Sequence, residues 1–396
     1  MNPIKRGIFS PKPIDRLGLI ALITAIGTSA VGTIWAIYLE SILKNPSYVG
    51  FLVSFFAVIA FVAYFFLIPI IEKHNKVWLF AISLFLYALS YYSFSRTSNL
   101  YFVIFLGMFL SVIASLRITC LGIIVRDKSK DKCVSENEGI IYTSLNIAWL
   151  VGPLIAGFVA SKYGILRVFT FASIAVFIAL ILFESFRMRD YPNRKKVDKN
   201  VFKIFVEFLR KKERAMSYIL GTAINFWWVL IYIYMPIYIV EKNGFGDLVV
   251  SYFLAAVIVP LVLSEYSFGK LASKIGFRKI FIYGYALIVT CAIAAFFFDN
   301  IYVIMPILVL SSFGAAMIEP TTEAYFFDII DKQQRDKYYP IYSTSIDSGH
   351  FFANMLAAIL LLFLPFKFIF LFFGIAMLCF MIVASRIRNV IESRRS

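Results

Sequence analysis

Twelve long apolar runs alternate with short polar segments along the 396 residues of the chain. Leu17–Leu39 carries no charge over 23 residues, and comparable runs recur near 48–71, 77–95, 100–125, 139–161, 166–186, 216–240, 248–269, 280–298, 301–327, 339–364 and 368–385. A helix needs roughly 20 apolar residues to cross a hydrocarbon core of about 30 Å. The pattern therefore predicts an all-α polytopic membrane protein with twelve spans. The polar segments fall into two alternating sets: those on the side of the N-terminus hold 32 of the 39 Lys and Arg residues. The opposite set holds 6, namely Lys44, Arg96, Lys162, Arg167, Lys242 and Lys367, and Arg117 alone lies inside a span. Basic segments stay cytoplasmic during insertion, so both termini are expected in the cytoplasm, with the chain embedded in the cell membrane and the lipid bilayer as its solvent.

The longest polar stretch, 187–214, divides the spans six and six. The expected organisation is a bundle over 1–186, a cytoplasmic linker over 187–214 and a second bundle over 215–396. Within the linker, Val201, Ile204, Phe205, Phe208 and Leu209 recur at helical spacing among charges, which suits an amphipathic helix lying on the inner membrane surface, with a plain linker helix as the alternative. The two halves look related. A shift of 201 residues lays 17–39 on 218–240, 77–95 on 278–296 and 100–125 on 301–326, and span six ends in Arg187-Met188-Arg189 as span twelve ends in Arg386-Ile387-Arg388. Two pseudo-symmetric six-helix bundles follow.

Composition narrows the classes. With 61% hydrophobic and 16% charged residues the chain is far from the soluble range. Its net charge of +16 sits in loops facing an anionic leaflet, so nucleic acid is not an expected partner. Cys120, Cys133, Cys291 and Cys379 have no CxxC spacing, and neither a disulfide nor a metal site is indicated. The two histidines, His74 and His350, fall in separate halves, and no HExxH or Ser/His/Asp set is present, so an enzyme is not expected. No G-x-x-x-x-G-K-[ST] loop is present to bind ATP. The polar N-terminal segment has no small-residue cleavage site after the first span, which reads as a retained helix.

Between spans eight and nine the chain reads Gly269-Lys270-Leu271-Ala272-Ser273-Lys274-Ile275-Gly276-Phe277-Arg278-Lys279. This resembles the G-x-L-a-D-r-x-G-r-k loop of the major facilitator superfamily, with Ser273 in place of the usual acid. The equivalent loop between spans two and three has lost both glycines, to Ile68 and Asn75, but keeps the acid as Glu72 and the base as Lys73. Glycine lets two helices approach closely, and Gly276 can take a backbone turn barred to other residues. An acid in this loop can lock an inner gate by pairing with a base on a neighbouring helix, and Arg126, at the end of span four, is the candidate partner of Glu72. Span five carries Gly152-Pro153-Leu154-Ile155-Ala156-Gly157, which resembles the G-P-x-x-G-G element of superfamily members that exchange protons for exported compounds. The same small residues would also mark a kinked, closely packed helix.

The resemblance implies secondary transport by alternating access between the halves, without a cofactor, driven by the proton gradient and carried out by a monomer. Ionisable groups inside spans are costly and mark pathways. Arg117 lies 17 residues past Leu100, and Glu319 lies 18 past Ile301; the repeat sends Arg117 to position 318, beside Glu319. A pair between them, released by protonation of the glutamate, is the expected proton switch; the alternatives are a purely structural ion pair and helices rotated so that the two never meet. Glu323 shares the face of Glu319, and two neighbouring carboxylates disfavour joint ionisation; Pro320 between them frees a carbonyl. Asp347 and His350 are i, i+3 neighbours in span eleven, and the repeat sets Asp347 opposite Asn146 in span five. Glu265, four residues before Gly269, reads as a gate or interface residue. The resemblance implies that span seven faces the cavity, where Asn225, Trp227 and Trp228, with Tyr232 and Tyr234 beyond, would form an aromatic wall suited to bulky apolar or cationic cargo; an aromatic stripe facing lipid is the alternative. Expected small-molecule contacts are thus Arg117, Asn146, Asn225, Trp227, Trp228 and Glu319. The leading expectation is proton-coupled export of a hydrophobic or cationic compound. The alternative is uptake of a small metabolite with protons, in which Arg117 binds an anionic substrate.

Overall fold

The computed structural model describes residues 13–128, 134–188, 201–331 and 334–388. Among the described residues, twelve helices are long and apolar enough to span: Ile14–Leu43, Pro46–Ile71, Lys76–Phe94, Leu100–Val125, Thr143–Tyr163, Ile165–Ser185, Lys212–Lys242, Asp247–Ile275, Phe277–Phe297, Ile301–Ile329, Lys337–Phe363 and Phe368–Ser385. We number these spans one to twelve. Many of their outward residues, Phe66, Leu263 and Phe363 among them, are exposed, as lipid-facing surfaces require. Spans two, three and four begin at Pro46, Lys76 and Leu100, and spans eight, nine and ten begin at Asp247, Phe277 and Ile301, so the 201-residue repeat holds at all three starts. The caps repeat with it: the Asn99 side chain accepts from Phe102 N at 3.2 Å, and Asn300 accepts from Tyr302 N at 2.9 Å. An Asn oxygen there satisfies one of the amides a helix start leaves unbonded.

In the first half, span one packs against five and six, and span three against four and six; in the second, span nine packs against ten and twelve, and span seven against ten, eleven and twelve. The halves meet where span two lies along eleven and span five along eight. This seam is built from small residues. A Cβ on Gly50 would meet the Tyr234 hydroxyl and Ala358, and one on Gly157 would meet Ser251. Ser54 Oγ bonds Gly50 O at 2.8 Å and Phe351 O at 3.4 Å. These contacts lie towards the face away from the chain ends, called here the far face. Toward the opposite, linker face, Gly122 and Gly269 have nothing within 4 Å of a Cβ position.

Span seven is interrupted by π-helical turns at Leu230–Tyr234 and Tyr238–Lys242. Pro236 lies between them and has no N–H for the carbonyl of Tyr232, which loosens the ladder where the helix is re-aimed. On the linker face, the helix Val201–Arg210 turns Ile204 and Phe208 inward and leaves Phe202 and Val206 exposed. Ile204 and Phe208 are buried with Tyr218, Phe326, Tyr338, Ile341 and Tyr342, and burial of one such side chain is worth about 2 kcal/mol. Phe205 stacks edge-on against Phe61 and Phe65 of span two, at 5.9 and 6.0 Å, and against Tyr218 of span seven at 5.9 Å.

Candidate functional site

Span ten carries the densest chemistry. Pro320 leaves the carbonyl one turn earlier without its helical donor. Hydroxyls gather around the loosened turn: Thr321 Oγ1 bonds Met317 O and Ile318 O, and Thr322 Oγ1 bonds Ile318 O at 3.0 Å and Glu319 O at 2.7 Å. The Glu319 carboxylate leaves this turn toward span seven, where it comes within reach of the Trp228 side chain. Its Oε2 is buried and has no partner, and so is the hydroxyl of Tyr232, which lies within electrostatic reach of Glu319. Glu265 and Glu323 act on the same carboxylate. Glu323 is held by the Tyr339 hydroxyl, which donates to its Oε1 at 2.6 Å.

Glu265 ties the site to the first half. Asn146 Nδ2 of span five donates to Glu265 Oε2 of span eight at 3.4 Å. One helical turn beyond Asn146, Trp149 meets Tyr232 edge-on at 5.3 Å, and Trp228 lies 5.6 Å from Tyr232 at a tilt. Gly32 of span one leaves room for the Trp149 ring, whose nearest atom is 3.4 Å from a Cβ position. Carboxylates at Glu265 and Glu319 thus stand beside Trp149, Trp228 and Tyr232, drawn from spans five, seven, eight and ten.

Several expectations meet a different geometry. Arg117 does not pair with Glu319: its guanidinium lies over the Tyr87 ring at 5.0 Å, and its Nε is buried without a partner. The repeat equates positions along two helices, but each half turns its own fourth helix toward its own neighbours. Arg117 therefore meets the tyrosines of span three, where Tyr87 and Tyr91 are 5.0 Å apart. Trp227 is fully buried, and Asn225 spends its amide on Gly221 O at 2.9 Å, so both serve the packing of the second half, and Trp228 is the residue aimed at the carboxylates. Asp347 stands near Tyr64 and Tyr218 instead of the Glu319 group, while Tyr64 reaches Ser115 and feels Arg117. The backbone carbonyl of His350 accepts from Asn354 Nδ2 at 2.8 Å.

In the loop motifs, Gly276 has φ of 92° and joins spans eight and nine, a conformation only glycine adopts freely. Gly269 faces open space and makes no close helix contact in this conformation. Lys73 and Arg278 are exposed at the linker face. The side chains of Glu72 and Arg126, the expected gate pair, lie outside the described residues. Pro153 lies inside span five, between the two glycines of its motif. A Cβ on Gly152 would collide with Ser29 Oγ of span one, and Ser29 Oγ donates to Ala148 O of span five at 2.9 Å. Gly152 thus packs span five inside its half, and Gly157 packs it across the seam.

Trp149 and Tyr87 were not singled out by the sequence, although Trp149 shares a helix face with Asn146. Glu265 was expected at an interface, which is where its bond to Asn146 lies; its approach to Glu319 is a property of the packing alone. A separate hollow of about 570 Å³ opens on the far face, lined by Tyr38, Arg96, Arg167 and Asp247 among others, away from these carboxylates.

The Major Facilitator Superfamily model matches residues 17–267 and 230–396. An uncharacterized MFS-type transporter from Methanocaldococcus jannaschii is 22% identical over 337 residues, covering 83% of this chain and 86% of that one. Among solved structures, a POT family transporter in complex with 5-aminolevulinic acid superposes with a TM-score of 0.82 at 13% identity, covering 96% of each chain. A nucleoside transporter gives 0.78 at 10% identity over 94% of this chain and 98% of that one. A bacterial homologue of the iron transporter ferroportin, in an inward-facing state, gives 0.70 at 16% identity over 94% and 97%. These likenesses are of fold.

Proposed function

This chain belongs to the major facilitator superfamily, and from that premise we propose that it exports a hydrophobic or cationic small molecule in exchange for protons. The linker face is then cytoplasmic, as the distribution of basic residues requires. The observation that carries the reading is the Glu319 carboxylate, with one oxygen buried and unpartnered beside Trp228, Tyr232 and a second carboxylate at Glu265. Such a group is satisfied by a proton or by a cation, and not by both. Aromatic faces at Trp149, Trp228 and Tyr232 attract a cation over the ring and offer an apolar wall for its bulk.

The cycle follows from that competition. Cargo enters from the cytoplasm and neutralises the carboxylates; after the halves rock, a proton arriving from the far face replaces it. Asn146 and Glu265 report which half is where, because their hydrogen bond crosses the seam. The energy comes from the proton gradient, no cofactor takes part, and the working unit is a monomer in the cell membrane. A second reading has one observation in its favour: Arg117 Nε is buried and unpartnered, so the first half can receive an anion. Proton-linked uptake of a small anionic metabolite would use it, and the POT family neighbour was captured with 5-aminolevulinic acid, an amino acid. Flux into proteoliposomes under an imposed pH gradient separates the two. Export coupling predicts that lipophilic cations move against the direction of proton flow; movement of an organic anion with the protons, and none of any cation, would establish the second reading.

A further inference from the structure

The far ends of spans one and seven hold a pair of carboxyl groups that the cycle above does not use. Glu40, near the end of span one, is 2% exposed, and both of its carboxylate oxygens are buried with no donor. The group facing it, within side-chain hydrogen-bonding reach, is the carboxyl of Glu241, in the last π-helical turn of span seven. The two stand at equivalent positions of the 201-residue repeat, so each half contributes one acid to the pair. They close a hollow of about 100 Å³ with Ile37, Ser41, Ile237 and Val240.

Two carboxylates offer four oxygens and no hydrogen. As a pair of anions they repel, and Glu40 is left buried without a partner, an expensive state for a charge. With one proton between them, one carboxyl donates to the other and the contact becomes a hydrogen bond. Other donors are accounted for. Ser41 Oγ donates to Tyr38 O at 2.7 Å, and the Tyr38 hydroxyl donates to Thr97 O at 3.0 Å. Lys242 acts on Glu40 as a charge without a hydrogen bond, and it is exposed, as is Glu241, so Glu40 is the buried member of the pair. Asp247 of span eight, with Arg96 and Arg167, lines the neighbouring hollow on the other side of Tyr38 and Ser41.

We propose that Glu40 and Glu241 bind a single proton between them and so latch the far ends of the two halves. Release of that proton leaves two facing anions and drives span one from span seven, opening the far face. The site does not depend on the role of Glu319, since the two groups belong to different layers of the bundle.

The test uses nitroxide labels at Ser98→Cys and Phe298→Cys, exposed far-face loop positions of the two halves, with the native cysteines replaced by alanine. Pulsed electron spin resonance then reads the closed and open populations in lipid nanodiscs across pH. The expected result is an open-to-closed ratio that rises by about tenfold per pH unit above the release point, as for one proton. In E40Q and in E241Q the amide donates permanently, so the far face should stay closed at every pH. Asp299→Asn, an exposed far-face carboxylate paired with Lys367 and outside both sites, should keep the wild-type slope. Three outcomes would overturn the proposal. One is an unchanged pH slope in E40Q and E241Q; another is a flat wild-type profile. The third is a ratio that follows sodium at fixed pH, which would make the pair a metal-cation site.

Discussion

Gly157 offers a direct way to tilt the balance between the two access states. It stands where span five crosses span eight, and a Cβ there would meet Ser251 Oγ and Cβ, the latter at 2.5 Å, with the Leu248 backbone Cα behind at 3.4 Å. Ser251 cannot simply turn away at no cost, because its hydroxyl bonds Asp247 O at 2.9 Å. Overpacking of this kind costs about 1–3 kcal/mol. The strain exists only while the far halves of spans five and eight are pressed together, so it falls on one access state and not the other. About 2 kcal/mol of differential strain changes the ratio of states roughly 30-fold. Gly157→Ala should therefore move the Ser98–Phe298 label distance toward its long population by that order. Adding Ser251→Gly removes both colliding atoms and should return the ratio most of the way, giving a double-mutant coupling beyond additive behaviour. An unchanged distance distribution in Gly157→Ala, or no recovery in the double variant, would refute the idea that this contact holds the far face shut.

Trp228→Ala should weaken binding of a lipophilic cation in detergent by about 5- to 30-fold, the range of a desolvated cation–aromatic contact, with little change in melting temperature. Trp227→Ala, one residue away but fully buried, should instead cost about 3–5 kcal/mol of stability, seen as a lowered melting temperature by scanning fluorimetry. Lys337 and Tyr338 both donate to Glu207, at 2.9 and 2.5 Å, and hold its carboxyl below the usual range. A depressed carboxylate stabilises docking above its unfolded value and loses that contribution as pH falls through the folded one. Acidification should thus lower the hydrogen-exchange protection of Val201–Arg210 relative to the intrinsic rate at each pH, and Glu207→Gln should be less protected at neutral pH and lose the acid-induced fall. Gly276→Ala should destabilise by about 1–2 kcal/mol because its φ is 92°, whereas Gly269→Ala, with open space around it, should melt within a degree or two of the parent.

The architecture was legible because the bilayer imposes a length and a polarity on every span, and those constraints are written into consecutive residues. The repeat was legible for the same reason: a fixed 201-residue offset survives in span starts and in the Asn99 and Asn300 caps. The family followed from a loop where Gly276 is needed for its backbone angle. Side-chain company was harder to read. Helical periodicity cannot tell which of two adjacent tryptophans faces inward in an all-apolar helix, and the π-helical turns of span seven shift the register further. So Trp227 was expected in the site with Trp228 and lies in the packing. Arg117 and Glu319 matched in depth, yet depth along a helix says nothing of rotation about it. The approach of Glu265 to Glu319 joins spans eight and ten, a tertiary fact with no local signature.

The account rests most heavily on Glu319 as the proton carrier, and Glu319→Gln examines it directly. The amide keeps the shape of the protonated acid, but it can never release a proton. In proteoliposomes, transport driven by a pH gradient should fall to background, and exchange of labelled for unlabelled cargo, now held only by Glu265 and the aromatic faces, should slow, because the amide stands for the proton-occupied site. Transport by Glu319→Gln that responds normally to the pH gradient would contradict the account and return the coupling role to another group.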